Sequence, residues 1–174
     1  MAIDPDSGGG ELNAVMKGFF ELQTPGDLLR KLRADLEDLK KQPRNSYLAF
    51  NFFVTAEHMK DWLFPGYEKT QKRKAIHDSS QVLQICSHVA NGAKHFVAQS
   101  SQHKAVSDTK RRGGYWASNY WASSYWGAGY WSKGGLFVEL QGEAAKELGP
   151  QIAVVALAEK VLDYWEKRPE LQEL

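Results

Sequence analysis

Histidines and amides at helical spacing are the residues of this chain best suited to chemistry. Gln84, His88, Asn91 and His95 follow one another at steps of 4, 3 and 4. Those steps keep them on one face of a helix for about three turns. Imidazole, with an ordinary pKa of about 6.5, is the natural general acid or base near neutral pH. The candidate catalytic residues are therefore His95, Asn91 and His88. Asn91 could orient the His95 ring or contact a phosphate, and Lys94 could bind an anion. The competing reading is a buried polar network, in which both histidines bond to Asn51, Thr55 and His58 on a neighbouring helix. Buried polar groups need such partners. A metal centre from Cys86, His88, His95 and His103 is not expected. Cys86 and His88 stand two apart and diverge by about 200° around a helix. No cofactor is expected either.

Binding chemistry is concentrated in the middle of the chain. The net charge is only +1, yet residues 69–133 hold ten Lys/Arg against two acids, so the remainder carries a balance of −7. Such asymmetry suits an anionic partner or an acidic part of the same protein. Residues 115–131 repeat a Tyr-Trp pair every five residues and contain four of the six tryptophans and four of the seven tyrosines. Five steps turn a helix face by about 140°, and on a strand they alternate sides. The array is thus no simple amphipathic element. The candidate nucleic-acid-binding residues are Lys72, Arg73, Lys74, Lys94, Arg111, Arg112, Trp116, Trp121, Trp126 and Trp131. Aromatic rings among cations can stack on unpaired bases at ~1–3 kcal/mol per base. They can equally pack on the protein itself or bring copies together, since a monomer rarely leaves so much aromatic surface exposed.

Helices must position these groups. A segment over 11–23, with Leu12, Val15, Met16, Phe19 and Phe20, reads as a short amphipathic helix. Thr24-Pro25-Gly26-Asp27 is a strong helix start, followed by a stripe of Leu28, Leu29, Leu32, Leu36 and Leu39 that ends before Pro43. The next helix opens at Asn45 or Ser46 and runs to about Phe64. Its first half is apolar almost all round, so it is expected at the centre of a bundle. A basic stretch over 67–77 can begin a helix, and a further helix runs from Gln81 to about Ala98 if Gly92 is tolerated. Residues 99–114 read as a loop. Gly135 to Leu140 read as a strand, with a turn at Gln141-Gly142. Pro150 is expected to start the last helix, with Ile152, Val155, Leu157, Ala158, Val161, Leu162 and Trp165 on its core face. The expected fold is mainly α: four to five helices with a small β element near residues 115–141, in which the array and the strand form a hairpin. Residues 1–10 are expected to be a flexible segment and 11–174 a single domain carrying a Tyr-Trp-rich insertion at 113–134.

The segment Ala90-Asn91-Gly92-Ala93-Lys94-His95 resembles the signature of the HEPN superfamily, helical-bundle proteins common in prokaryotic toxin–antitoxin and antiviral systems. The signature is an arginine, usually a polar residue, three variable residues and a histidine. Asn91 and His95 match it, whereas Ala90 stands where the arginine belongs. In the family's ribonucleases, arginine and histidine from two protomers form a composite site for metal-independent RNA cleavage. The resemblance therefore implies a HEPN-like bundle over roughly 45–98 that lacks the guanidinium to hold the phosphate. The wider layout is also similar to bacterial and prophage proteins.

The chain has 174 residues, of which 43% are apolar and 25% charged. That is the globular range, with length for one domain. No apolar run reaches the ~18 residues needed to span a bilayer, so no membrane is expected. The single cysteine, Cys86, fits a reducing, cytoplasmic compartment. The expected function is that of a non-catalytic or weakened HEPN-like protein of a phage-defence, prophage or toxin–antitoxin system. It would bind RNA, a nucleotide or a partner protein encoded nearby, and form a homo-oligomer. The alternatives are a metal-independent endoribonuclease using His95 and a structural protein that assembles through the array.

Overall fold

Thr24 begins the ordered helical body because both halves of a capping box are present. Its hydroxyl accepts from the Asp27 amide at 3.1 Å, and the Asp27 carboxylate accepts from the Thr24 amide at 2.8 Å. The computed structural model describes residues 18–95, 104–112 and 134–172. From the cap, α1 (Pro25–Lys41) runs with its leucine stripe buried. A tight turn through Pro43 reverses the chain into α2 (Ser46–Leu63), capped by the Asn45 side chain. After Pro65-Gly66 and a single 3-10 turn come α3 (Thr70–Asp78) and α4 (Gln81–His95). The chain continues through β1 (Val106–Arg112), β2 (Gly135–Leu140), α5 (Gly142–Leu148), β3 (Gln151–Ala153), α6 (Val154–Glu166) and α7 (Pro169–Gln172). α6 packs on α1, α2 and α4, and α2 packs on both α1 and α4. Their shared core holds Leu32, Phe52, Phe53, Met59, Ile85, Leu157 and Trp165. The class is helical with a small sheet. Among the described residues no helix is long and apolar enough to cross a membrane.

The sheet is antiparallel, in the order β1-β2-β3. The Leu140 amide donates to the Pro150 carbonyl at 2.9 Å, and the Gln141 amide donates to the Ala105 carbonyl at 3.0 Å. These bonds hold the end of β2 between its neighbours. β1 is an edge strand, and Ser107 to Arg112 are exposed on both of its faces.

Five expectations need correction. The described residues hold seven helices where four to five were expected, because α5 and α7, at seven and four residues, are too short to show a periodicity. Residues 18–23 form a turn with a Phe19↔Leu22 bridge, not a helix. Gly18 has a φ of +70°, and Phe19 and Phe20 lie exposed with no core to cover them; residues 11–17 lie outside the described residues. The supposed loop before the array contains β1. Polar side chains on both faces erase the alternation that reveals a strand, and pairing with β2 creates it. Pro150 precedes β3, and the last long helix starts only at Val154. The first half of α2 is not enclosed, because Tyr47, Phe50 and Asn51 face out.

α4 runs unbroken through Gly92, and a Cβ built there meets no atom within 4 Å. Gly92→Ala is therefore expected to raise stability by about 0.5–1 kcal/mol, by restricting the unfolded chain. A thermal midpoint at or below that of the parent protein would contradict this.

Candidate functional site

Asn91 and Ser87 lie one turn apart on α4 and face a carboxylate of α2. The Asn91 amide donates to the Ser87 carbonyl at 2.8 Å and to its hydroxyl at 3.3 Å. The Ser87 hydroxyl donates to Glu57 Oε1 at 3.1 Å, and Lys60 pairs with that same oxygen. Beside this seam Lys94 Nζ approaches His58 Nε2 at 3.3 Å, while His58 Nδ1 lies 2.7 Å from the Val54 carbonyl. A carbonyl only accepts, so these bonds assign the proton to Nδ1 and leave the Nε2 lone pair for the Lys94 ammonium. Cys86 lies fully buried next to the seam, and burial pushes its thiol well above the ordinary range.

His88 turns toward the sheet. Its Nδ1 accepts the Val106 amide at 3.0 Å. The ring thereby anchors the first residue of β1. His88→Ala is expected to cost about 1–2 kcal/mol, since it leaves a backbone donor without its acceptor. Faster hydrogen exchange confined to the start of β1 would register the loss. Gln84 reaches the Asp78 carbonyl at 3.4 Å. Three members of the expected catalytic face thus bond in three directions, and the His95 side chain lies outside the described residues. The Asn51, Thr55 and His58 stripe divides as well. Asn51 is exposed, whereas Thr55 is buried against α1, accepting from Lys31 at 2.9 Å and donating to Asp35 at 3.2 Å. Of the histidine network expected across the helices, the described residues show His88 Nδ1 bonded to β1 and His58 beside Lys94.

The cations of the middle segment differ in what they are free to do. Arg73 is turned inward on the α2–α3 loop. It donates to the Phe64 carbonyl, to the Gly66 carbonyl at 2.8 Å and to the Thr70 hydroxyl at 3.0 Å. Lys74 pairs with Asp78, and that bond holds the Asp78 carboxyl below its ordinary range. Lys72 lies over the Phe64 ring at 5.7 Å and remains exposed. On β1, Lys110 bonds Glu139 at 2.7 Å, which raises the lysine above its ordinary range. Arg112 lies 5.4 Å from the Phe137 ring centroid and 3.9 Å from Glu139.

Arg111 differs. The chain has seven arginines, and Arg30, Arg33, Arg73, Arg112 and Arg168 each have a carboxylate within 4.0 Å. Among the described residues, Arg44 and Arg111 make no such pair, and both line one open groove of about 530 Å³ between the α1–α2 turn and β1. Tyr47 lines the same groove and is 81% exposed. Sequence reasoning missed Arg44 and Tyr47. One sits in a turn without a motif, and the other reads as core on an apolar helix.

The last rung of the β1–β2 ladder pairs Arg112 with Gly135. The pairing partner of β2 on this side is thus β1, where the array was expected. Trp116, Trp121, Trp126 and Trp131 lie outside the described residues. Among the described residues no three of His, Cys, Asp or Glu converge to hold a metal ion. No family model matches the chain, and neither a curated protein nor a solved structure matches it significantly.

Proposed function

We propose that this chain is a HEPN-like, non-catalytic protein that binds single-stranded RNA through β1 and the Tyr-Trp array, in a phage-defence, prophage or toxin–antitoxin setting. The observation that carries the reading is the base of the hairpin. β1 presents Lys110, Arg111 and Arg112 on an exposed edge, and in the sequence the aromatic array begins three residues on, at Tyr115. Cations that follow a backbone beside rings that stack on bases are the two components of single-strand binding. The setting comes from the resemblance around Asn91 and His95. The absence of catalysis is supported by Ala90 at the arginine position and by the bonds that occupy His88 and Asn91.

Fluorescence anisotropy with a labelled oligouridylate tests this. Binding should weaken steeply from about 50 to about 200 mM salt, with a slope of ~0.7 per phosphate contact. Alanine at Trp116, Trp121, Trp126 and Trp131 together should weaken it at least tenfold. No binding at the low-salt end would remove the reading. A drop in particle mass without a change in RNA affinity would instead assign the array to self-assembly. RNA cleavage in metal-free buffer that disappears in His95→Ala would make the protein an endoribonuclease.

A further inference from the structure

We propose that the groove between the α1–α2 turn and β1 is a nucleotide site, in which Arg44 and Arg111 take the phosphate and Tyr47 stacks on the base. It rests on the single-strand reading only in assigning the groove to the same ligand as the β1 edge.

The first argument is electrostatic. Every other arginine of the chain is matched to a carboxylate, and the two that are not are brought to one concavity from opposite parts of the sequence. Two like charges in a groove repel, and an anion between them removes that cost. The guanidinium fork matches phosphate oxygens in pairs, which an ammonium does not do. The second argument is the ring. Tyr47 stands at the second position of α2, almost wholly in solvent, where it adds nothing to the core. An exposed aromatic beside phosphate-binding groups is the usual platform for an unstacked base. The third is size. About 530 Å³ lies within the ~300–1,000 Å³ of small-ligand sites, and an open groove admits a nucleotide that continues into a strand.

The start of α2 also lines the groove, and its dipole adds positive potential. Its free amides are not the site, since the Asn45 side chain already accepts from the Tyr47 and Leu48 amides at 3.0 and 3.3 Å. The arginines therefore carry the recognition. The groove is also separate from the α4 residues: Arg111 stands five positions along β1 from Val106, the residue His88 holds, or about 16 Å at strand rise.

The test is NMR titration of the isotope-labelled full chain with adenosine 5′-monophosphate, adenosine and inorganic phosphate. The monophosphate should shift the amides of residues 44–47 and 110–112. Adenosine alone should bind at least tenfold more weakly. Arg44→Gln with Arg111→Gln should abolish the shifts without lowering the thermal midpoint, as both side chains are exposed. Tyr47→Ala should weaken binding and Tyr47→Phe should preserve it. Arg33→Gln, which removes a guanidinium already paired with Glu166 and distant in sequence from the groove, should have little effect. Unperturbed groove amides, or a double variant that binds like the parent, would overturn the site. Inorganic phosphate binding as tightly as the nucleotide would reduce it to a plain anion site and overturn the nucleotide assignment. Oligouridylate separates the two proposals. If the parent binds oligouridylate while the monophosphate leaves the groove amides unperturbed, the groove fails and the array reading stands. If the parent binds the monophosphate but no RNA, the groove stands and the array reading fails.

Discussion

Trp165→Ala is expected to destabilise the protein by about 3–5 kcal/mol, the largest loss from any single change considered. Trp165 is 1% exposed near the end of α6 and meets Tyr164 edge to face at 5.3 Å. Tyr164 in turn reaches the Ser79 hydroxyl at 3.1 Å, which ties α6 to the end of α3. Removing the indole leaves a cavity at the junction of the helical layers. The indole N–H, however, has no hydrogen-bond partner among the described residues. Burying such a donor costs about 1–3 kcal/mol. Trp165→Phe removes that penalty along with part of the ring, so its net loss should be less than half that of Trp165→Ala. Urea unfolding of the two variants decides the matter. Equal losses would mean that the N–H is satisfied in solution.

Glu57→Ala should cost about 2–4 kcal/mol. The carboxylate is the shared acceptor of the α2–α4 seam, holding the Ser87 hydroxyl and the Lys60 ammonium on one oxygen. The Glu57 and Lys60 side chains are 13% and 18% exposed, and Ser87 is 4% exposed. Truncation therefore leaves a hydroxyl and a charge with little access to water, a large penalty for either group. Glu57→Gln keeps an acceptor for Ser87 and should lose roughly half as much. Replacing both Glu57 and Lys60 by leucine removes the charges together and should recover most of the loss. A double variant as unstable as the sum of its single changes would show that the pair is not what holds the seam.

The helices were legible where their signals are local. Thr24-Pro25-Gly26-Asp27 announced α1, because a cap needs only residues three apart, and the leucine stripe repeats within single turns. Asn45 and the Pro65-Gly66 break framed α2 for the same reason. β1 was not legible. Its polar residues bury nothing, so no periodicity marks them, and the strand exists only because β2 offers it hydrogen bonds. Arg73 looked like a free cation in a basic run, yet it is spent on loop carbonyls. The stripe of Asn51, Thr55 and His58 was sound as helix geometry. Its members still part company, because α1 and α4 flank different sides of α2.

Local order was therefore written into the chain itself: where α1, α2 and α4 begin, which of their faces seek the core, and that basic and aromatic residues crowd the middle. Which cations stay unpaired, and that Arg44 and Arg111 come to share a groove beside Tyr47, was set by the folded whole. A carboxylate neutralises whichever guanidinium it lies beside, and proximity between distant residues depends on how helices and sheet pack, which no local pattern encodes.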